Sequence, residues 1–287
     1  MRLLAEAGVP PDFASDGSVR HIHRAVNGTD LYFIANREER VSDVTCRFRV
    51  TGKVPEWWDP LTGECRALPE FEERGGVTSV PLRLEPLGSG FVAFREKGSA
   101  IERRGPGVAG RNIRDLRTAL ELKGPWDVAF DPKWGGPEKP VTFGDLSDWT
   151  DQSDPGVKYY SGTAVYRKTF DCSDLRLPTS GVFLSLGSVK NLATVALNGK
   201  DLGTVWCAPW RVRIPAGALR ERGNALEVRV ANLWVNRLVG DAALPPERRL
   251  TRTTIRPYGA DAPLQPSGLL GPVSVQAEAD GSAGTPR

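Results

Sequence analysis

The sequence predicts an all-β protein, a β-sandwich followed by a second β-rich domain. Three observations carry this. Leu226, Val228 and Val230 alternate with Glu227 and Arg229, and Val44, Cys46, Phe48 and Val50 recur at the same spacing. That is the period of two expected of a half-buried strand. Asn27-Gly28 and Asn198-Gly199 are turn dipeptides, the second suited to a type I′ hairpin whose two central residues need positive φ. Helical periodicity is almost absent from the chain.

The 287 residues allow about two domains, on the usual scale of roughly 150 residues each. Residues 1–17 are expected to be the remnant of a preceding segment, with Arg2 to Ala7 as a helical turn or the end of a helix. Residues 18–97 form the predicted sandwich. His21-Ile22-His23-Arg24 leads into the Asn27-Gly28 turn, and Leu31 to Asn36 is a β-rich run. Val44 to Val50 alternates, Trp57 to Gly63 is expected as a turn, and Thr78 to Leu84 and Gly90 to Phe94 supply two more strands. Short strands with turn signals every ~8–12 residues point to a sandwich.

The Gly- and Arg-rich stretch at 98–114 is expected to be a linker. A second domain then spans 115–279, with Trp126-Asp127-Val128, a long polar loop from Asp131 to Asp154, and strand-like runs at Tyr159 to Phe170 and Pro272 to Ala277. Within it Thr194 to Leu197 is a short strand before Asn198-Gly199, and Val205 to Ile214 carries two tryptophans around Pro209. Residues 280–287 are small and polar and are expected to be a disordered tail.

Composition excludes several classes. The 38 basic and 35 acidic residues nearly balance at a net charge of +3, with no dense Lys/Arg run, so nucleic acid is not an expected partner. No run of 18 apolar residues predicts a membrane helix. The apolar run in Met1 to Glu6 is too short for a signal peptide. Cys46, Cys65, Cys172 and Cys207 are far apart and form no CxxC pair, which argues for free thiols rather than a zinc site and leaves disulfides open for an exported parent. No nucleotide-binding, zincin or serine-hydrolase motif is present.

The second domain resembles the jelly-roll sugar-binding domain of family 2 glycoside hydrolases, of the galactose-binding-like fold. The resemblance rests on Trp126-Asp127-Val128, Tyr159 to Phe170, Leu186-Gly187, Val195 to Gly203, Gly223 to Val228 and Ser267 to Val273, in that order. A narrower resemblance covers nearly the whole chain. The ordered segments IHR, LYFIAN, WWDPLTG, YYSGTAVYRKTF, LNGKDLG, APWRVRI and NLWVNRLVGD are similar to the C-terminal part of α-L-rhamnosidases of glycoside hydrolase family 106. Each motif is weak alone, and their shared order makes the match specific.

The resemblance implies a parent that hydrolyses O-glycosyl bonds, with its catalytic carboxylates on a preceding (β/α)₈ barrel. A barrel needs about 250 residues of alternating strand and helix, which this chain does not hold. The expectation is a non-catalytic pair of C-terminal β-domains, inactive alone. The partners are then carbohydrate and the parent's barrel, and the parent is periplasmic or secreted. The alternatives are a free-standing carbohydrate-binding protein and a structural module that supports a barrel. No cofactor is expected. Calcium is left open because it occurs in galactose-binding-like folds, although no acidic loop with ligand spacing stands out.

Candidate site residues follow from chemistry. Glycoside hydrolysis usually uses two facing carboxylates. Glu56 and Asp59 flank Trp57-Trp58, and Asp148 and Asp151 flank Trp149, but turn chemistry explains these equally well. His21 and His23 share one strand face. In the resembling family, His23 or Arg24 could reach the active-site mouth; a structural role is the alternative. Aromatic faces stack on sugar rings while polar neighbours bond the hydroxyls. Trp206, Trp210 and Trp234 are platform candidates, with Asn232, Asn236, Arg237 and Asp241 as polar partners, and Trp134 sits in a loop beside Gly135-Gly136. Core packing is the alternative for Trp206, Trp210 and Trp234.

Overall fold

The computed structural model describes residues 8–96 and 111–279, except 174, 176, 177, 179 and 180. The expected helical turn before residue 8, most of the expected linker and the tail therefore lie outside the described residues. The chain divides into two compact units: Met1–Leu116 with Glu278–Arg287, and Arg117–Ala277.

The first unit contains β1 (Phe13–Ser15), β2 (Val19–Val26), β3 (Thr29–Asn36), β4 (Ser42–Phe48), β5 (Lys53–Trp58), β6 (Cys65–Ala67), β7 (Glu72–Arg74), β8 (Val77–Leu84) and β9 (Ser89–Glu96). They form a four-stranded sheet ordered β1-β4-β8-β7 and a five-stranded sheet ordered β2-β3-β9-β5-β6. Asn27 (φ 50°) and Gly28 (φ 78°) close the β2–β3 hairpin, so that Val26 pairs with Thr29. Alternation then sends Val44, Cys46 and Phe48 of β4, with Val80, Leu82 and Leu84 of β8, into a core completed by Tyr32, Ile34, Val92 and Phe94. Each large apolar side chain buried there contributes about 1.5–3 kcal/mol.

Two expectations shift. Trp57 and Trp58 belong to β5, and the turn begins at Asp59, whose carboxylate accepts from Leu61 N and Thr62 N. Phe13, within the segment set apart as a remnant, pairs with Phe48 across the β1–β4 ladder and packs against the core.

The second unit is the jelly roll. Its strands are β10 (Leu116–Glu121), β11 (Trp126–Ala129), β12 (Val141–Phe143), β13 (Thr163–Phe170), β14 (Val182–Ser185), β15 (Ser188–Lys190), β16 (Leu192–Leu197), β17 (Lys200–Val205), β18 (Arg211–Arg213), β19 (Asn224–Ala231), β20 (Gly268–Gly271) and β21 (Ser274–Glu278). A six-stranded sheet ordered β12-β11-β13-β19-β16-β17 accompanies a four-stranded sheet ordered β10-β21-β14-β18 and a β15-β20 pair. Asn198 (φ 53°) and Gly199 (φ 79°) make the β16–β17 hairpin. The buried faces of Ala164, Tyr166, Val195, Val228 and Val230 meet Leu184, Val212, Leu269 and Val275 in one core. In that core Trp149 Nε1 donates to Tyr166 Oη (2.5 Å), which also accepts from Leu269 N (3.1 Å). β10 and β21, the first and last strands, lie side by side; Leu122 N donates to Val273 O at 2.8 Å.

Short helices interrupt the β-pattern: α1 (Pro155–Lys158) and α2 (Val235–Ala242). α2 was not expected from the sequence: Val235, Leu238, Val239 and Ala242 do recur at helical spacing, but over only eight residues, and the buried face also holds Asn236, Arg237 and Asp241. Within the long polar loop, Asp131, Asp148 and Asp154 each cap a turn, accepting from Lys133 N, Thr150 N and Gly156 N.

Candidate functional site

Strand register puts the exits that lead to three of the candidate tryptophans at one end of the six-stranded sheet. Ala129 pairs with Val165, Thr163 with Ala231, Leu192 with Ala231 and Ala193 with Val205. The chain therefore leaves β11, β17 and β19 at the same end. The first exit leads to Trp134, the second to Trp206 and the third to Trp234, which are 48%, 62% and 74% exposed. Rings this exposed can stack on a sugar from solvent, although Lys133 Nζ already lies over the Trp134 ring, 5.3 Å from its centroid. Trp210 is placed differently: it is half-buried, packs against the core, and its carbonyl accepts from Leu186 N.

Side-chain hydrogen bonds fix this end. Asn232 Oδ1 accepts from Gly162 N, while Nδ2 donates to Tyr160 O and Ser267 Oγ. Ser161 Oγ donates to Leu233 O and accepts from Arg237 N. Asn236 is only 1% exposed; its Nδ2 donates to Gln265 O and Ser267 Oγ, and its Oδ1 accepts from Gln265 N. Burial thus removes Asn236 from direct ligand contact and makes it part of the frame. Arg237 is likewise buried, near Gly135: a methyl built on Gly135 would lie 2.4 Å from Leu250 Cδ1 and 3.5 Å from Arg237 Nη2. Gly135 adopts φ 78°, which lets the Trp134 turn close against this helix. Burial lowers the Arg237 guanidinium from its ordinary value, against the opposing pull of Asp241. Asp241 Oδ2 accepts from both Thr251 N (2.7 Å) and Thr251 Oγ1 (2.6 Å).

His23 and Arg24 belong to the first unit. His23 Nδ1 lies 3.1 Å from both Asp12 oxygens and Nε2 lies 3.1 Å from Asp30 Oδ1. Lys53 Nζ meets Asp30 Oδ2 at 2.6 Å, and the His23 ring stacks on Tyr32 at 4.0 Å. Burial, then Asp12, raises the Tyr32 phenol. Every polar atom of His23 is thus engaged internally. The exposed Arg24 donates Nη1 to His23 O (2.9 Å).

Three of the four carboxylates beside the tryptophans, all but Asp151, have local work. Glu56 is buried and accepts from Trp58 Nε1 at 2.9 Å. Asp59 holds its turn, and Asp148 accepts from Thr150 N, Thr150 Oγ1 and Ser267 N. Among the described residues no group of three or more His, Cys, Asp or Glu side chains is arranged to hold a metal ion, and no helix is long and apolar enough to cross a membrane. Burial pushes the Cys46 thiol up to about 12, and Cys172 Sγ donates to Arg220 O.

Comparison with known proteins agrees with this architecture. Residues 1–73 match the model of glycoside hydrolase family 106, described as alpha-L-rhamnosidase. The solved rhamnosidase from Novosphingobium sp. PP1Y is 38% identical, with a TM-score of 0.83 over 96% of this chain and 26% of its own. A curated protein of Formosa agariphila with a provisional β-glucuronidase description is 35% identical over 192 residues, covering 58% of this chain and 16% of that protein. A β-glucuronidase from Ruminococcus gnavus is 20% identical over 63% of this chain, at a TM-score of 0.39. The chain is glycoside hydrolase-related and similar to family 106 rhamnosidases, and it spans about a quarter of the solved rhamnosidase and about a sixth of the curated relative.

Proposed function

We propose that this chain forms the non-catalytic β-domains of an α-L-rhamnosidase-like glycoside hydrolase, and that its jelly roll holds glycan for a catalytic barrel elsewhere in the parent. The observation that carries the reading is that the strand exits leading to Trp134, Trp206 and Trp234, all exposed, lie at one end of the six-stranded sheet. A rigid hydrogen-bonded frame behind exposed aromatics is what a sugar platform requires, since stacking gains are kept only when the rings are held in place. The non-catalytic part is supported by Glu56, Asp59 and Asp148, whose carboxylates are engaged in structural hydrogen bonds.

The test pairs two assays on the isolated chain. Aryl α-L-rhamnosides should not be hydrolysed; turnover that follows the protein peak through purification would overturn the non-catalytic reading. Calorimetric titration with a glycan panel should show saturable binding that is lost in Trp206→Ala or Trp234→Ala. Flat titrations across the panel would overturn the sugar platform. A second reading has its own observation: Leu233 and Ile255 are exposed apolar residues of the same unit, suited to docking on a barrel. It predicts self-association of the isolated chain, and a monodisperse monomer at high concentration would count against it.

A further inference from the structure

Beside the C-terminal half of α2 lies a cavity of about 230 Å³. Its wall carries Arg249, Arg252 and Arg256, together with Asp241, Thr251 and Tyr258. The one carboxylate among these is already engaged. Asp241 Oδ2 takes both Thr251 donors, and Oδ1 faces Arg237 at 3.7 Å. Arg249 is held by its Nε donating to Leu244 O (2.8 Å). Among the described residues, Arg252 and Arg256 form no ion pair.

Three arginines around one cavity whose single carboxylate, Asp241, is opposed by Arg237 leave an excess of positive charge that favours an anion. Guanidinium forks match carboxylate and sulfate oxygens two at a time. The volume is below the ~300 Å³ where drug-sized pockets begin, so it suits one sugar unit rather than a chain. Tyr258 offers a ring face and a hydroxyl to that unit, and Thr251 lies beside it. The cavity also adjoins the tryptophan end: α2 begins directly after Trp234, and Leu250, between Arg249 and Thr251, packs at Gly135 next to Trp134.

We infer that this cavity is a subsite for the anionic group of an acidic sugar, the carboxylate of a uronate or a sulfate ester, next to the aromatic platform. The inference rests on the glycan-binding reading above and names the substrate class of that same end of the jelly roll. Neutral rings stack on the tryptophans while the neighbouring acidic residue is clamped by the arginines.

The experiment is calorimetric titration of the full chain and of its Arg252→Ala, Arg256→Ala and Trp234→Ala variants. The titrants are an oligogalacturonide, a sulfated galacto-oligosaccharide, an uncharged galacto-oligosaccharide and inorganic sulfate. Arg252 and Arg256 are exposed, so their variants should keep the wild-type circular dichroism. One charged oligosaccharide should bind more tightly than the uncharged one and weaken with salt. Its affinity should fall about tenfold in each arginine variant, as expected for loss of a hydrogen bond to a charged group. The uncharged oligosaccharide should not respond to those changes. Whichever charged oligosaccharide responds identifies carboxylate or sulfate ester as the source. Equal binding of charged and uncharged oligosaccharides, arginine variants that bind as wild type, or a response to inorganic sulfate alone would overturn the inference. If Trp234→Ala removes uncharged binding while the arginine variants are silent, the inference falls and the glycan platform stands. If no oligosaccharide binds, both fall.

Discussion

Arg237 and Asp241 face each other one turn apart on α2, with Nη1 3.7 Å from Oδ1, and both side chains are nine-tenths or more buried. Nε and Nη2 of Arg237 and Oδ1 of Asp241 have no hydrogen-bond partner. The pair is too long for a tight salt bridge and too buried to be solvated. Such a pair adds little net stability, yet removal of one member strands the other charge. Arg237→Met or Asp241→Asn alone should therefore cost about 3 kcal/mol in urea unfolding. The double variant should cost clearly less than the two together; strict additivity would show that the pair is not coupled.

Asn236 should report as a structural residue. Asn236→Ala leaves the Gln265 N–H without its partner and removes one of the donors to Ser267 Oγ, and should cost about 2 kcal/mol of stability. A variant of unchanged urea midpoint but weakened glycan binding would instead make Asn236 a ligand contact.

The tryptophans should separate by burial. Trp206→Ala and Trp234→Ala should change stability by less than about 0.5 kcal/mol, as exposed substitutions do. Trp210→Ala, which opens a gap against the core, should cost about 2 kcal/mol or more. Equal midpoints for Trp210→Ala and Trp234→Ala would contradict the packing described.

Gly240 lies inside α2, where Ala is ordinarily better by about 1 kcal/mol. Here a Cβ would stand 2.7 Å from both Cβ and Cγ of Tyr159. Gly240→Ala should thus destabilise, by about 1–3 kcal/mol, because the close contact outweighs the propensity gain. A raised melting temperature would show that Tyr159 yields freely.

Alkaline pH should unfold the protein through its phenols. Burial raises Tyr32, Tyr160 and Tyr166 above the ordinary tyrosine value, with Asp12 adding to the effect at Tyr32. Above about pH 10 the unfolded chain loses these protons while the folded one retains them. Stability is then full below pH ~10 and falls as pH rises towards the folded-state values. Tyrosinate absorbance should show these phenols ionising together with loss of the circular dichroism signal; ionisation well before that loss would disprove their burial.

Sequence pattern exposed the fold where one face of a strand is apolar and the other polar. Val44 to Phe48 and Leu226 to Val230 alternate because each has a core side and a solvent side. The Asn-Gly hairpins were legible because the chemistry of positive φ is local. α2 carries helical spacing in Val235, Leu238, Val239 and Ala242, but two turns are too short to stand out, and the burial of Asn236, Arg237 and Asp241 beside them is a tertiary fact. The same limit governs the site. Asn232, Asn236 and Arg237 look alike as polar neighbours of Trp234, yet contacts with Ser267, Gln265 and Ser161 decide which are buried, and those lie 29 residues or more away in the chain. His23 likewise depends on Asp12 and Asp30, and no local pattern pairs them. The arginine cavity left no sequence signal, because Arg249, Arg252 and Arg256 are spread over an irregular segment that only folding brings around α2.

The pairing of β10 with β21 has a practical meaning. A jelly roll whose first and last strands are neighbours takes in and releases its backbone at one place, so residues 117–277 have the form of a cassette. Such a module can be spliced into a surface loop of an unrelated carrier through two short joints, without stretching either end. Its ends can equally be joined directly and new termini opened between Gly199 and Lys200, the exposed side of the hairpin tip. The tryptophan end would travel intact in both formats, because the strands and side chains that build it lie inside the cassette.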